Sequence, residues 1–527
     1  MGLKGKTTIE LTDINSGEVT VIEDTNFVTT ALEQLCQPVL KNQFTLDSST
    51  FRREGGCSTE ALFRGLLLFD TTLEENTNRF APPTNAKMIG HGCEILYTGV
   101  DTSLGSYNAS QSNTGTESER SYTWDFTSEQ ANGLIKSICL TTQVGGYIGY
   151  GTERSIEEVE SAMRPFSNIS KGALVVKSAD SLFSYNRVPV YMSLKNDYVV
   201  QCDFQRIPTG ILYFYKVNLD SNKVDIFKQF PQHGLWDATT RDSSYVGAGY
   251  TSIEAISINL ASELGTGTYF GMAQDGKYLY VTDLRGSSES AVANAWQPGT
   301  KIKMVKLDLE TFGYEVIEVT NTTGTSIGLR VGFTNMATGT YTFGVANGYM
   351  YVRGWVGSTG NDVAPLYAIN LANNTDTKQV TSPDGSVNMV GISSVANATP
   401  FLMSFSGLPV FTHVGHRPNN SPTSGNVFAN AVTVKNFSKA FLNASIFSFN
   451  TLGGISQIDS SATARSFPVD NDLYFAVEYR SSSSASTETA YRLLMNPLTL
   501  MTVNNLSTPV EKTPAQTMRI TYKLTKE

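Results

Sequence analysis

Two β-patterned segments at opposite ends of the chain constrain its fold more than any other feature. Near the start, Thr8-Ile9-Glu10-Leu11-Thr12-Asp13 and Glu18-Val19-Thr20-Val21 flank Asn15-Ser16-Gly17. Ile9 and Leu11 alternate against Val19 and Val21 across a turn, which predicts a hairpin. Near the end, Met518, Ile520, Tyr522 and Leu524 alternate along Met518–Thr525. A strand with one apolar face needs a sheet to join, and domain termini often lie close together. The hairpin is the nearest partner. Everything between would then be one large insertion, an arrangement of mount and carried body rather than an enzyme built around one cleft.

With 527 residues the chain exceeds one ordinary core. Only 17% of residues are charged, which leaves Ser, Thr, Asn and Gly to cover the surface and favours β-rich architecture. A net charge of -9 argues against nucleic acid as a partner, because phosphate binding needs a basic surface. Cys36, Cys57, Cys93, Cys139 and Cys202 are widely spaced, with no C-x-x-C, and predict buried thiols rather than a metal ribbon. Met1–Lys6 lacks the apolar core of a secretion signal, and Lys6 stands where myristoylation wants Ser or Thr. No stretch approaches the roughly 20 apolar residues of a membrane span.

Along the chain, Phe27, Ala31, Leu32, Leu35 and Leu40 predict a helix over Asn26–Leu40 that closes the hairpin sheet, giving a first unit over 1–45. Leu62–Phe69, Cys93–Tyr97, Tyr122–Phe126 and Ile135–Leu140 read as strands of a small β-sandwich over 46–153. Ser155 and Glu158 open a helix that Pro165 stops, a connector over 154–171.

An internal repeat follows. Asp275-Gly276 and Asn347-Gly348 each lead into an aromatic strand, Tyr278–Val281 and Tyr349–Val352. Each unit then reaches a third strand, Lys303–Leu309 or Pro365–Leu371, and a fourth, Glu315–Val319 or Thr377–Val380. Weaker copies lie at Asn196–Leu219 and Asn471–Met495. Four antiparallel strands repeated on this scale predict a β-propeller over 172–506, with a return strand over 507–527. The fold expected is mainly β: a hairpin and small sandwich joined by the C-terminal strand, with the propeller inserted.

Catalytic motifs are weak. His413 and His416 are three apart, which puts them on opposite faces of a strand, and there is no H-E-x-x-H. His91 and His233 stand alone in the sequence. Gly145–Gly151 matches neither a dinucleotide fingerprint nor a P-loop. Asp470, Asp472 and Glu478 would serve a propeller glycosidase, but turn acids explain them. Ser382–Ser386 is similar to a sialidase Asp-box without its closing Trp. For sugar binding, aromatic faces beside polar donors are required, which makes Trp236, Trp296 and Trp355 the candidates; inter-blade packing is the alternative and the commoner role. Tyr147 and Tyr150 face the same choice. No metal or other cofactor is expected.

Three stretches carry a resemblance. Lys4–Asp13 with Ser16-Gly17-Glu18 and Thr29–Leu32 resembles the start of tail-associated structural proteins in phages of Gram-positive gut bacteria. Thr508–Thr513 with Gln516–Leu524 is similar to their ending. Trp124-Asp125-Phe126, Ala131-Asn132-Gly133 and Ile135–Thr141 are similar to an internal stretch of the same family. The resemblance implies a virion component made in the bacterial cytoplasm, a tail fibre or baseplate-attached host-recognition protein present in multiple copies. Its partners would be other tail or baseplate proteins and a host surface glycan or protein. It carries no catalytic residues over. A propeller depolymerase of host polysaccharide, and a head fibre or decoration protein, are the alternatives.

Overall fold

The computed structural model describes residues 3–30, 32, 65–77, 86–92, 99, 101–112, 119–141, 170–178, 187–193, 195–203, 209–219, 250–266, 271–282, 296–327, 343–353, 365–381, 401–405, 408–413, 430–435, 437–442, 465–470, 474–480, 487–495 and 500–526. The described strands fall into two compact units, one holding those before residue 170 and after residue 495, the other those between.

The first unit begins with β1 (Leu3–Asp13), β2 (Val19–Val28), β3 (Gly65–Phe69), β4 (Met88–Gly92), β5 (Leu104–Tyr107), β6 (Glu119–Phe126) and β7 (Gly133–Thr141). Two strands at the end of the chain complete it, β28 (Thr502–Lys512) and β29 (Gln516–Lys526). These nine form a closed barrel in the order β1-β2-β28-β7-β3-β4-β5-β6-β29.

The β1–β2 turn is fixed locally. The Asp13 carboxylate accepts from the N–H groups of Asn15 and Ser16, and Gly17 supplies a φ of 72°. Those bonds hold the Asp13 carboxyl below its ordinary pKa. Ile9 and Leu11 are buried, but the register sets them opposite Ile22 and Thr20, so Val19 and Val21, expected on the same face, lie on the other face and are exposed.

β29 pairs with β1 along its whole length, from Leu3 opposite Lys526 to Asp13 opposite Gln516. Its other edge pairs with β6 from Met518–Phe126 to Thr525–Glu119. Met518, Ile520, Tyr522 and Leu524 are all buried. The C-terminal strand therefore joins the sheet of the N-terminal hairpin.

The expected division into a hairpin unit and a small sandwich needs correction. A sandwich keeps two sheets with open edges; here β29 bridges β1 and β6 edge to edge and one barrel results. Asn26–Val28, assigned to a helix by its spacing, finishes β2 because Phe27 and Val28 pair with Val503 and Thr502. The rest of that stretch beyond Leu32 lies outside the described residues, as do Cys93–Tyr97 and the stretch Ser155–Met163 expected to be helical. β28 opens at Thr502, inside the stretch assigned to the propeller, because its pairing partners are β2 and β7.

Small residues seat the barrel's largest side chains. Gly92 on β4 faces Gly105 on β5. A Cβ on Gly92 would lie 2.5 Å from Trp124 Cδ1, and one on Gly105 would collide with the Phe126 ring. Trp124 and Phe126, both buried, occupy the room these glycines leave.

The second unit runs through β8 (Ser170–Ser178), β9 (Arg187–Ser193), β10 (Tyr198–Asp203), β11 (Ile211–Leu219), β12 (Tyr250–Asn259), a short helix α1 (Ala261–Leu264), β13 (Gly271–Asp275), β14 (Tyr278–Thr282), β15 (Lys301–Asp308) and β16 (Tyr314–Thr320). It continues through β17 (Gly344–Ala346), β18 (Tyr349–Arg353), β19 (Leu366–Asn370), β20 (Thr377–Val380), β21 (Phe401–Phe405), β22 (Leu408–His413), β23 (Asn430–Lys435), β24 (Ser438–Leu442), β25 (Arg465–Val469), β26 (Tyr474–Arg480) and β27 (Thr487–Met495).

β13–β16, β17–β20 and β21–β24 each form a four-stranded antiparallel sheet. An eight-stranded sheet has the order β12-β11-β10-β9-β25-β26-β27-β8. Its two antiparallel halves meet at one parallel contact, Val469 with Met192. Both strong repeats fall on single sheets, with Gly276 and Gly348 at positive φ in the predicted turns. The weaker copies coincide with β10–β11 and β26–β27. β21–β24 is a further group.

Apolar clusters join consecutive groups. Val200, Leu212 and Phe214 pack with Leu279, Val281 and Val305 of the next sheet. Tyr280 and Met304 in turn pack with Val345, Met350 and Ile369. Tyr351 and Ala368 continue to Phe437, beside β24. β8, from the start of the unit, pairs with β27 and supplies the fourth strand of the last group.

Candidate functional site

Of the three tryptophans selected for sugar stacking, Trp236 and Trp355 lie outside the described residues. Trp296 is 5% exposed and sits among Tyr280, Ile302, Met304 and Val319. Its indole N–H donates to the Thr300 carbonyl at 3.0 Å, and its backbone bridges Ile327 in both directions. Asn321 Nδ2 donates to its carbonyl. A sugar needs an open ring face, and this ring has none: Trp296 is a packing residue between β15, β16 and the next sheet. Tyr147, Tyr150, His233, His416 and Asp472 also lie outside the described residues.

Among the described residues a group of titratable side chains gathers at turns of the second unit. Lys277, in the β13–β14 turn, reaches Asp308 at 2.9 Å and Glu310 at 2.8 Å after β15. Tyr191 on β9 donates to Glu310 Oε1 at 2.9 Å. Asp470, after β25, accepts from Ser193 Oγ at 2.8 Å and from the Lys195 N–H. Asp470 thus ties two turns together rather than standing as a solvated acid.

The electrostatics show what this group can do. The hydrogen bond to Glu310 and the bond to Asp308 hold the Lys277 ammonium above its ordinary pKa. Burial pulls Asp308 upward, but the Lys277 ammonium and the N–H groups of Glu310 and Thr311 outweigh it, leaving that carboxyl low. Burial, then the charges of Asp470 and Glu310, push the Tyr191 phenol well above its ordinary range. The same causes bring Tyr198 up to about 12. A nucleophilic tyrosine needs the opposite shift. These groups neutralise one another and pin turns.

In the barrel, Cys139 is buried and burial pushes its thiol up; Cys202, in the second unit, behaves alike. Such thiols are unreactive. His91 is buried on β4. No group of three or more metal-binding side chains occurs among the described residues. No helix among them is long and apolar enough to cross a membrane. Lys512 is 1% exposed, donates to Asn132 Oδ1 at 2.8 Å and to the Ser128 carbonyl, and burial lowers its pKa to about 8.

One surface escaped the sequence reading. β2 meets β28 only at Phe27–Val503 and Val28–Thr502. β28 then bulges between Asn505 and Val510, and Ser507, Thr508 and Pro509 are exposed. The β1–β2 ribbon over Val19–Thr25 is left with β1 on one side and no strand on the other among the described residues. Ile14, Val19 and Val21 on this ribbon are all more than half exposed. A usable signal was present in the sequence: Glu10, Asp13, Glu18, Glu23 and Asp24 fall between Thr7 and Val28 with no Lys or Arg among them.

No family model matches the chain, and no curated protein matches it. Among solved structures it is similar to a sialidase from Trypanosoma rangeli, at 10% identity and a TM-score of 0.25, over 77% of this chain and 58% of that one. The chain thus spans a little over half the length of the sialidase. An uncharacterized protein from Listeria monocytogenes is similar at 10% identity and a TM-score of 0.18, over 59% of this chain and 85% of that one. A dipeptidyl peptidase 4 from Porphyromonas gingivalis follows at 9% identity and a TM-score of 0.15, over 86% of this chain and 59% of that one. At TM-scores this low they assign neither fold nor activity to the chain.

Proposed function

We propose that this chain is a non-enzymatic structural protein of a phage virion, a tail fibre or baseplate-attached host-recognition protein. In this reading the barrel is the mount and the second unit is a β-propeller that carries the contact with a host surface glycan or protein.

The pairing of β29 with β1 along eleven residues carries the reading. It puts the first and last strands in one barrel, so the chain from β8 to β27 is an insertion that leaves after β7 and returns at β28. The propeller is supported by the order of the second unit. The two halves of the eight-stranded sheet and the three separate four-stranded sheets make five groups. Apolar clusters link them in chain order, and β8 completes the group begun by β25, which is how a circular array closes with a strand from its own start. Loops on such a scaffold are suited to recognition, and several copies on one particle would convert weak contacts into avidity.

An antibody raised against the purified chain should label purified particles at the tail or baseplate in electron micrographs. Unlabelled particles would overturn the virion assignment, and labelled heads would move the protein to a head fibre. Purified chain should also bind host cells and compete with phage adsorption; failure of both would remove the recognition role.

A further inference from the structure

The open edge of β2 has a definite chemistry. The Glu18 carbonyl accepts from the Asp13 N–H on the β1 side, and the Thr29 N–H donates to the Met501 carbonyl on the β28 side. Strand backbones alternate, so Val19, Val21, Glu23 and Thr25 aim their N–H and C=O groups away from β1. The Thr25 N–H donates to the Asp24 carboxylate at 2.8 Å, and among the described residues the outward groups of Val19, Val21 and Glu23 meet no partner. The one bond made across the gap is from the Ser507 N–H to the Asp24 carboxylate. Soluble proteins usually blunt such an edge with lysine, proline or a covering segment. This one instead presents Val19 at 52% exposure and Val21 at 56%.

Charge selects the occupant. The ribbon carries five carboxylates between Thr7 and Val28 and no cation. Among the described residues Glu23 is bound to Lys6 at 2.9 Å and Glu10 lies opposite Arg519 on β29, away from the outer edge. A second copy docked on the same edge would set these carboxylates against one another, and like charges facing across strands are unfavourable.

We infer that the outer edge of β2 over Val19–Glu23 takes an added strand from another protein, an extended segment with Val, Ile or Thr beside Val19, Val21 and Ile22 and with Lys or Arg beside Glu18, Glu23 and Asp24. Main-chain bonds to the outward groups would hold it, and the alternating side chains would select it. The inference stands apart from the virion reading; within that reading the strand comes from a neighbouring particle protein.

The test uses the full chain and a fluorescently labelled ten-residue peptide alternating Val and Lys, with a Glu-for-Lys counterpart, read by anisotropy. The Val/Lys peptide should bind, at least about tenfold tighter than the Val/Glu peptide, and weaken as salt rises. Val21→Pro removes an outward N–H that the barrel does not use, so binding should fall at least about tenfold with the melting temperature kept. If that variant fails to fold, Val21→Lys at the same exposed position should repel the peptide equally. Equal binding of both peptides, no binding of either up to about 1 mM, or undiminished binding by the folded variant would each overturn the inference. So would concentration-dependent self-association abolished at Val21, which would mean a second copy covers the edge. Peptide binding without particle labelling would sink the virion reading and leave this one intact.

Discussion

Ile520→Ala tests the pairing on which the barrel depends. Ile520 is fully buried on β29, opposite Ile9 on one side and Trp124 on the other. The substitution removes three carbons, worth about 2.4 kcal/mol at about 0.8 kcal/mol per buried carbon. The cavity adds to this, because a closed barrel cannot collapse freely around one missing side chain, so about 3 kcal/mol is expected. Thr521, next along the strand, is the control. Its hydroxyl lies 3.2 Å from that of Thr123, and Thr521→Ala should cost about 1 kcal/mol or less. Hydrogen exchange read by mass spectrometry resolves the result by segment. Exchange in Leu3–Asp13 and Glu119–Phe126, which flank β29, should accelerate about a hundredfold in Ile520→Ala, since each 1.4 kcal/mol is about tenfold. Lys301–Asp308, in the second unit, should exchange as before. Unchanged exchange in β1 and β6 would show that β29 does not hold them together.

Three further outcomes follow from the geometry. Gly92→Ala would set a Cβ 2.5 Å from Trp124 Cδ1 and should cost about 1–3 kcal/mol in a urea melt; a neutral effect would mean the Trp124 seat is wrong. Lys512 has its pKa lowered from 10.5 to about 8, so between those values the unfolded state holds a proton that the folded state lacks. Relative to Lys512→Met, the barrel should therefore gain stability from pH 8 towards 10.5, about 3 kcal/mol in all, whereas equal slopes in the two proteins would exclude a buried Lys512. Deleting 170–178 removes β8 and strips its pairing from Thr487–Leu494 of β27, costing on the order of 5 kcal/mol and leaving an open edge that should drive association in gel filtration. A monomer of unchanged stability would mean that β8 does not close the unit.

The termini were legible because Ile9 and Leu11, and Met518 through Leu524, follow the simplest strand code of one apolar face. β3 and β7 were legible as apolar runs. The closure of the barrel was not. β4 is Met88-Ile89-Gly90-His91-Gly92, with neither alternation nor a β-branched run, and its place is set by the room Gly92 leaves for Trp124. β28 was hidden because Ser507, Thr508 and Pro509 interrupt it with a bulge. The repeat was found where Asp275-Gly276 and Asn347-Gly348 mark tight turns; β21–β24 carries neither dipeptide. Trp296 shows why the site was harder still. A tryptophan in a polar stretch reads alike whether its indole N–H faces solvent or the Thr300 carbonyl, and burial decides between them only after the sheets are assembled.

Both units close in the same manner, and that bears on how the chain avoids aggregation. In the barrel the first strand, β1, pairs with the last, β29. In the second unit the first strand, β8, pairs with the last, β27. Each closure buries edges that would otherwise invite pairing with another molecule. The separate sheets of the second unit keep edge strands such as β12, β16 and β20, whereas the outer edge of β2 borders a barrel that is otherwise closed. Among the described residues β2 pairs with β28 only at Phe27–Val503 and Val28–Thr502, while over Ser507–Pro509 β28 leaves its ladder with β7, and bulges at barrel rims are retained features of a fold rather than defects. If the opening were incidental, replacing Thr508 and Pro509 by valines, so that β28 could follow β2 beyond Val503, should stabilise the barrel and leave partner binding unchanged. If the edge is a docking site, the same replacement should stabilise the barrel and abolish capture of the Val/Lys peptide.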